Sequence, residues 1–165
     1  MPSHFDARHV RRAFARAASS YDAAAALQRE VQSRLIESLD YLEARKPEVV
    51  LDIGAGTGHA SALMKKRWPK AQVIALDVAL PMLDQAKRQA GWWKPFQRLC
   101  GDAAALPLAD NSVDVIFSNL CLQWVDDLPA VLPDSVACSS PVACCCARPS
   151  ARNPGGTQRS VRRRR

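Results

Sequence analysis

With 165 residues, 48% of them hydrophobic and 24% charged, the chain has the size and mixture of one soluble globular domain, and its formal net charge is +7. Residues 1–131 carry 16 Lys and Arg against 15 Asp and Glu, whereas residues 132–165 carry seven Arg and one Asp, so the positive excess belongs to the tail and not to a binding face of the folded body. No run approaches the ~18 apolar residues of a membrane helix, and no secretory h-region opens the chain.

Val10, Phe14, Ala17 and Tyr21 recur at helical spacing and predict an amphipathic helix over 8–18. Arg8, Arg11, Arg12 and Arg16 lie on it, as they would in a mitochondrial transit peptide; Asp6 and Asp22 argue against that, and the cytoplasm is the expected compartment. Ser19 or Ser20 is placed to cap a second helix over 22–44, in which Leu27, Val31, Leu35 and Leu39 recur every four residues and Leu42 follows. After Pro47 the pattern alternates. A strand over Val49–Ile53 leads into glycines and a helix over 59–68, and a strand over Gln72–Leu76 is followed by a helix from Pro81 to Gln89. Trp92 and Trp93 fall in a loop, and strands over Phe96–Cys100 and Val113–Ser118 follow. Strands alternating with helices imply an α/β fold with a parallel sheet and right-handed crossovers. Beyond Val131 no period survives, and no internal repeat is visible. Four of the six cysteines, Cys138 and Cys144 to Cys146, lie in this tail and leave Cys100 and Cys121 in the body. That is not a disulfide framework. Three consecutive cysteines with no nearby His do not offer tetrahedral ligands, so no metal is expected.

The run Leu51-Asp52-Ile53-Gly54-Ala55-Gly56-Thr57-Gly58 carries the most chemistry. Gly54 permits a tight turn, Gly56 a close ligand approach, and Gly58 starts the helix where a side chain would crowd the strand; the alternative is a plain strand-to-helix turn. His59 stands where a dinucleotide fingerprint wants glycine, and no Gly-Lys-Ser/Thr follows, which excludes a nucleoside-triphosphate loop. Asp77 ends the second strand, 19 residues past Gly58, placed either to accept from both ribose hydroxyls or to cap the helix at Pro81. Asp102 follows the third strand and is either an acceptor for an exocyclic amine or a turn residue. Asp52 orients the glycine loop or reaches a ligand ammonium. Three acids at three strand ends, with no basic residue among them, suit ribose, adenine and a cationic centre, and suit a pyrophosphate poorly.

These segments, with Ala75-Leu76-Asp77 and Met82, Gly101-Asp102-Ala103 with Leu106-Pro107, and Ser118-Asn119-Leu120-Cys121-Leu122-Gln123-Trp124, resemble the class I S-adenosylmethionine-dependent methyltransferases with their Rossmann-like fold. Phe14-Ala15-Arg16-Ala17-Ala18, Ser20-Tyr21-Asp22, Ala26 and Leu27-Gln28 narrow the resemblance to the malonyl-acyl-carrier-protein O-methyltransferases of biotin synthesis, the BioC family, over residues 8–131. The resemblance implies S-adenosyl-L-methionine as cofactor and malonyl-acyl-carrier protein as substrate, with no specific nucleic acid and no membrane partner. It implies that Gly54, Gly56 and Gly58 form the methionine-side loop, that Asp77 holds the ribose and Met82 packs on the adenine, and that Asp102 and Ala103 meet the adenine edge. Asn119 would lie beside the methionine moiety, and Tyr21 and Gln28 would close over the cofactor; a core aromatic is the other reading of Tyr21. Trp124 is read as packing and His59 as structural. A free carboxylate acceptor is already ionised at neutral pH, so no catalytic base is nominated.

The expected organisation is N-terminal helices over 1–46, a cofactor-binding α/β half-domain over 47–131 and an unrelated tail over 132–165. Leu128-Pro129-Ala130-Val131 begins a helix, after which the likeness stops. The tail's vocabulary fits a frameshifted or misassigned reading frame, and disorder is expected there, with the fourth strand an open edge and turnover weak or absent. Two alternatives stand beside the biotin-pathway reading. One is a class I methyltransferase with another acceptor, such as a quinone precursor, a small acid or a protein side chain. The other is a non-enzymatic truncated product whose Arg-rich tail binds nucleic acid in a salt-sensitive way.

Overall fold

Val49–Ile53 forms β1 at the middle of the sheet, and both of its faces are buried, as its nearly unbroken apolar sequence requires of an inner parallel strand. The computed structural model describes residues 7–42, 46–93, 95–106, 108, 112–125 and 143–147 of the chain. β1 pairs in parallel with β2 (Gln72–Asp77) on one side and β4 (Val115–Asn119) on the other, and β2 pairs with β3 (Gln97–Cys100). Ile53 stands opposite both Leu76 and Ser118, and Asp77 opposite Cys100, so the carboxyl ends of four strands come level. The Asp114 carboxylate accepts from the backbone N–H of Glu48 at 2.8 Å and of Val49 at 2.9 Å, fixing where β1 begins against β4.

One face of the sheet packs Val50, Val73, Ala75, Val115 and Phe117 against Leu39, Met64, Trp68, Leu83 and Phe96. The helices on this side are α3 (Ala26–Ser38), α4 (His59–Arg67) and α5 (Leu80–Gln89). Met64, Leu83 and Phe117 are fully buried there, each contributing about 1.5–3 kcal/mol of transfer free energy. The other face joins Leu51, Ile53, Ile74, Leu76 and Ile116 to Leu106, Leu108, Leu122 and Val125. Ahead of the sheet, α1 (Ala7–Ala17) and the single turn α2 (Tyr21–Ala24) close a smaller cluster, in which Phe14 and Tyr21 pack on Ala18, Ala79 and Met82.

Four expectations need correction. The single helix over 22–44 is broken at Ala25, which has φ −87° and ψ 32° and is buried; a run of strong helix formers from Ala23 to Ala26 concealed a break that tertiary contacts impose. Neither does Ser20 cap the second helix: its hydroxyl donates instead to the carbonyl of Ala17, at the end of α1. Leu27, placed on the apolar stripe, is 67% exposed. The fourth strand, expected to be an open edge, is paired: Ala143–Ala147 forms β5, antiparallel to β4 with Phe117 opposite Cys145, giving the order β3-β2-β1-β4-β5. Backbone N–H and C=O groups on an edge accept an extended segment whatever its side chains, so hydrophobic periodicity carried no sign of it. The helix expected from Leu128, the remainder of the tail and the tail cysteine side chains lie outside the described residues.

Candidate functional site

The glycine loop follows β1 because Gly54, Gly56 and Gly58 adopt φ of 72°, 55° and 79°, a region costing other residues about 1–2 kcal/mol. The N–H groups of Gly54 and Ala55 donate to the Leu76 carbonyl at 2.9 and 3.0 Å, which holds the loop on the tip of β2. The three glycines then differ. A Cβ on Gly54 would meet the Cys121 Cβ at 2.3 Å, and one on Gly58 would meet Ala86 Cβ and Phe96 Cζ at 2.8 Å. At Gly56 the nearest atom is Tyr21 Cε1 at 3.9 Å, so only this glycine faces open space.

Asp77, at the last position of β2, uses both carboxylate oxygens. Oδ2 accepts from Gly56 N–H at 2.9 Å and Oδ1 from Ala79 N–H at 2.8 Å. The two readings of Asp77 therefore coincide, since the oxygen that caps the turn into α5 belongs to the carboxylate that holds the loop, and each oxygen keeps a lone pair for a ligand. Burial raises its pKa, opposed by the backbone N–H groups of Ala79, Gly56 and Val78. Asp102 is exposed, and its Oδ1 accepts from Ala104 N–H at 2.9 Å; here too the turn and the cleft share one residue. Asp52 is buried beneath the loop, accepts from the Ser61 hydroxyl at 2.6 Å, and has its pKa pushed up to about 7 by burial.

The level strand ends and the N-terminal helices enclose two adjoining cavities. The larger, about 780 Å³ and open to solvent, is lined by Phe14, Tyr21, Gly54, Gly56, Asp77, Asp102, Ala103, Asn119, Leu120, Cys121 and Trp124 among others. Among the described residues, no Lys or Arg lines it. The smaller, about 460 Å³, lies under α2 and α3 and is lined by Asp22, Gln28, Arg29, Gln32, Asp52, Thr57 and His59, with Tyr21, Gly54, Gly56 and Asn119 as the wall shared by both. The roof is tied to the body at three points and braced within itself by a fourth bond. Thr57 Oγ1 donates to Asp22 Oδ1 at 2.6 Å, Gln32 Nε2 to His59 Nδ1 at 2.6 Å, Asn119 Nδ2 to the Gln28 carbonyl at 2.9 Å, and the Arg29 guanidinium to the Asp22 carbonyl. Asn119 Oδ1, by contrast, is buried with no partner among the described residues, an orphan acceptor at the junction of the two cavities.

Of the eleven residues singled out in the sequence, Tyr21, Gly54, Gly56, Asp77, Asp102, Ala103 and Asn119 line the larger cleft, and Gln28 and Asp52 join the smaller cavity. Two do not reach either. Gly58 packs under α5, and Met82 is 1% exposed beneath Phe14 and Tyr21, a floor for the cleft and not its wall. Trp124 meets Phe14 edge-on at 6.4 Å. The sequence reading missed the Asp22–Thr57 and Gln32–His59 contacts, Arg29 in the smaller cavity, and Leu120, whose φ of 53° is a strained conformation for a non-glycine residue. It also missed the role of Cys121, whose thiol packs where a Gly54 side chain would stand and is pushed up to about 12 by burial and by Asp77. Only Asp22, a short acid opening a helix, left a local signal. Among the described residues no group of His, Cys, Asp and Glu is disposed to hold a metal, and no helix is long and apolar enough to cross a membrane.

Residues 51–141 match a family profile described as a methyltransferase domain. Malonyl-[acyl-carrier protein] O-methyltransferase of Xylella fastidiosa (strain M23) is 66% identical over 127 residues, 77% of this chain and 43% of that protein. The protein of the same name from Gallionella capsiferriformans (strain ES-2) is 45% identical over 131 residues, 76% of this chain and 45% of that protein. The chain thus spans less than half the length of these relatives. Among solved structures, the YcgJ protein of Bacillus subtilis superposes with a TM-score of 0.51 at 26% identity, covering 62% of this chain and 43% of that one. The plantazolicin methyltransferase BpumL, in complex with a pentazolic desmethyl analogue and S-adenosylhomocysteine, gives 0.55 at 23% identity, covering 75% and 53%, and shares the fold.

Proposed function

The chain belongs to the methyltransferase domain family, with its Rossmann-like class I fold, and on that premise we propose that it binds S-adenosyl-L-methionine across the two cavities and serves in methylating the free carboxylate of malonyl-acyl-carrier protein in biotin biosynthesis. The observation that carries the cofactor reading is the Asp77 carboxylate, which grips the loop at Gly56 N–H while facing a cleft that no Lys or Arg among the described residues lines. That donor set fits a ribose diol and a positively charged centre and repels a pyrophosphate. The orphan Asn119 Oδ1 and the open face of Gly56 fit the same molecule, since each offers room or an acceptor that the protein itself leaves unused. Asp77 would hold the ribose, Asp102 and Ala103 the adenine edge, and Asn119, Gly54 and Gly56 the methionine part, with Tyr21 and Gln28 above. Gly58 and Met82 would act from behind by shaping the loop and the floor.

When bound, the cofactor supplies a methyl group on a positively charged sulfur, open to in-line attack. A malonyl carboxylate is ionised near neutral pH, so the chain need only orient the reactants and exclude water. Tyr21, Phe14 and Trp124, joined edge-to-face at 6.2 and 6.4 Å, form the apolar wall suited to that exclusion. The acceptor rests on the names of the relatives. We read the compartment as cytoplasmic, in keeping with free thiols at Cys100 and Cys121. Calorimetric titration with S-adenosylhomocysteine tests the cofactor reading: saturable one-to-one binding supports it, and uptake of NAD or ATP in its place overturns it.

A further inference from the structure

The near-neutral sum of residues 1–131, 16 basic against 15 acidic, conceals an uneven distribution. α1 carries Arg8, Arg11, Arg12 and Arg16 and no acidic residue, while residues 18–131 carry 12 Lys and Arg against 14 Asp and Glu. The four arginines stand at i, i+3, i+4 and i+8, on one face of the helix. Arg11, Arg12 and Arg16 are exposed. Val10, Phe14 and Ala17 occupy the opposite face, where Phe14 lines the larger cleft against Tyr21 and Trp124. Like charges at this spacing weaken a helix, and α1 itself contributes no acidic side chain. A cationic stripe so placed, on the back of the helix that borders the cleft, is complementary to an acidic protein surface.

Asp77 and Asp102 line the larger cleft, so such a partner is repelled from the opening and attracted to its flank. We propose that α1 is the docking face for a carrier protein with an acidic surface, which it holds beside the cleft while the tethered acyl group enters. The proposal rests on the malonyl-carrier reading of the acceptor.

The test is fluorescence anisotropy of labelled malonyl-acyl-carrier protein titrated with the full 165-residue chain saturated with S-adenosylhomocysteine, at several salt concentrations. Binding is expected to weaken as salt rises. The triple reversal R11E/R12E/R16E should lower carrier affinity at least ~tenfold and flatten the salt dependence, while S-adenosylhomocysteine affinity and melting temperature stay as they were. If the reversal disturbs folding, R11Q/R12Q/R16Q should give a smaller loss in the same direction. R34E on α3 should have no effect. Unchanged carrier affinity in the α1 variants, no measurable carrier binding by the wild type, or equal retention on anionic phosphatidylserine vesicles would overturn the docking assignment. Failure to bind S-adenosylhomocysteine would overturn the function reading instead.

Discussion

Replacing Gly58 and Gly56 by alanine, one at a time, separates scaffold from site. Both residues have positive φ, at 79° and 55°, so each substitution carries the left-handed penalty of about 1–2 kcal/mol. At Gly58 the new methyl also meets Ala86 Cβ and Phe96 Cζ at 2.8 Å, in a packed cluster, which adds about 1–3 kcal/mol of overpacking. The total of roughly 2–5 kcal/mol is a large share of a typical stability. At about 2–4 °C per kcal/mol it lowers the melting temperature by roughly 5–20 °C. At Gly56 nothing lies closer than Tyr21 Cε1 at 3.9 Å, so the loss stays near 1–2 kcal/mol. There the methyl projects into the wall shared by both cavities, and S-adenosylhomocysteine affinity should fall at least ~tenfold, or about 1.4 kcal/mol. Calorimetric melting and ligand titration well below the transition read the two quantities separately. A Gly58→Ala protein as stable as the wild type, or a Gly56→Ala protein that binds normally, would refute the division of labour among the glycines.

Asp77→Asn leaves one backbone N–H facing an amide donor and should weaken S-adenosylhomocysteine binding by roughly 10- to 100-fold, as expected for hydrogen bonds to a charged group. A 2′-deoxy analogue should bind the wild type poorly and the variant no worse than the parent ligand does, as titration of both ligands would reveal. Asp52, with an ordinary pKa of 3.8 raised to about 7, binds more protons folded than unfolded between those values. Its ionisation therefore lowers stability as pH rises from about 4 to 7, and Asp52→Asn should remove that slope in urea unfolding and exceed the wild type at pH 8. Thr57→Val deletes the 2.6 Å bond to Asp22 and should cost about 1 kcal/mol. Hydrogen exchange should accelerate in α2 and α3 and not in β1; acceleration spread evenly over the fold would disprove local release.

The inner sheet was legible because β1, β2 and β4 are buried, so apolar runs such as Val49–Ile53 mark them with boundaries that hold within two residues. The acids at the strand tips were legible as positions, since each ends or follows a strand, although Asp77 and Asp102 also serve the turns there. The roof of the site was not. Asp22 and Thr57, like Gln32 and His59, are brought together by tertiary packing across long separations, and no spacing rule connects them. Met82, expected to pack on the adenine, is buried beneath Phe14 and Tyr21, as its apolar chemistry favours.

The same limit applies to charge. Summed over the body, the arginines of α1 cancel against acids spread over the rest of it, and the sum reports no field. The helical spacing that predicted α1 also gathers those arginines on its outer face, so the information was present as a period and was lost in the total. A surface potential depends on where charges stand within about a Debye length of one another, ~8–10 Å at ordinary salt, which is the scale of a helix face. Acids held in a low-dielectric cleft act on what enters it, and exposed guanidinium groups on its flank act on what approaches. The protein therefore presents opposite signs inside the cleft and on its flank.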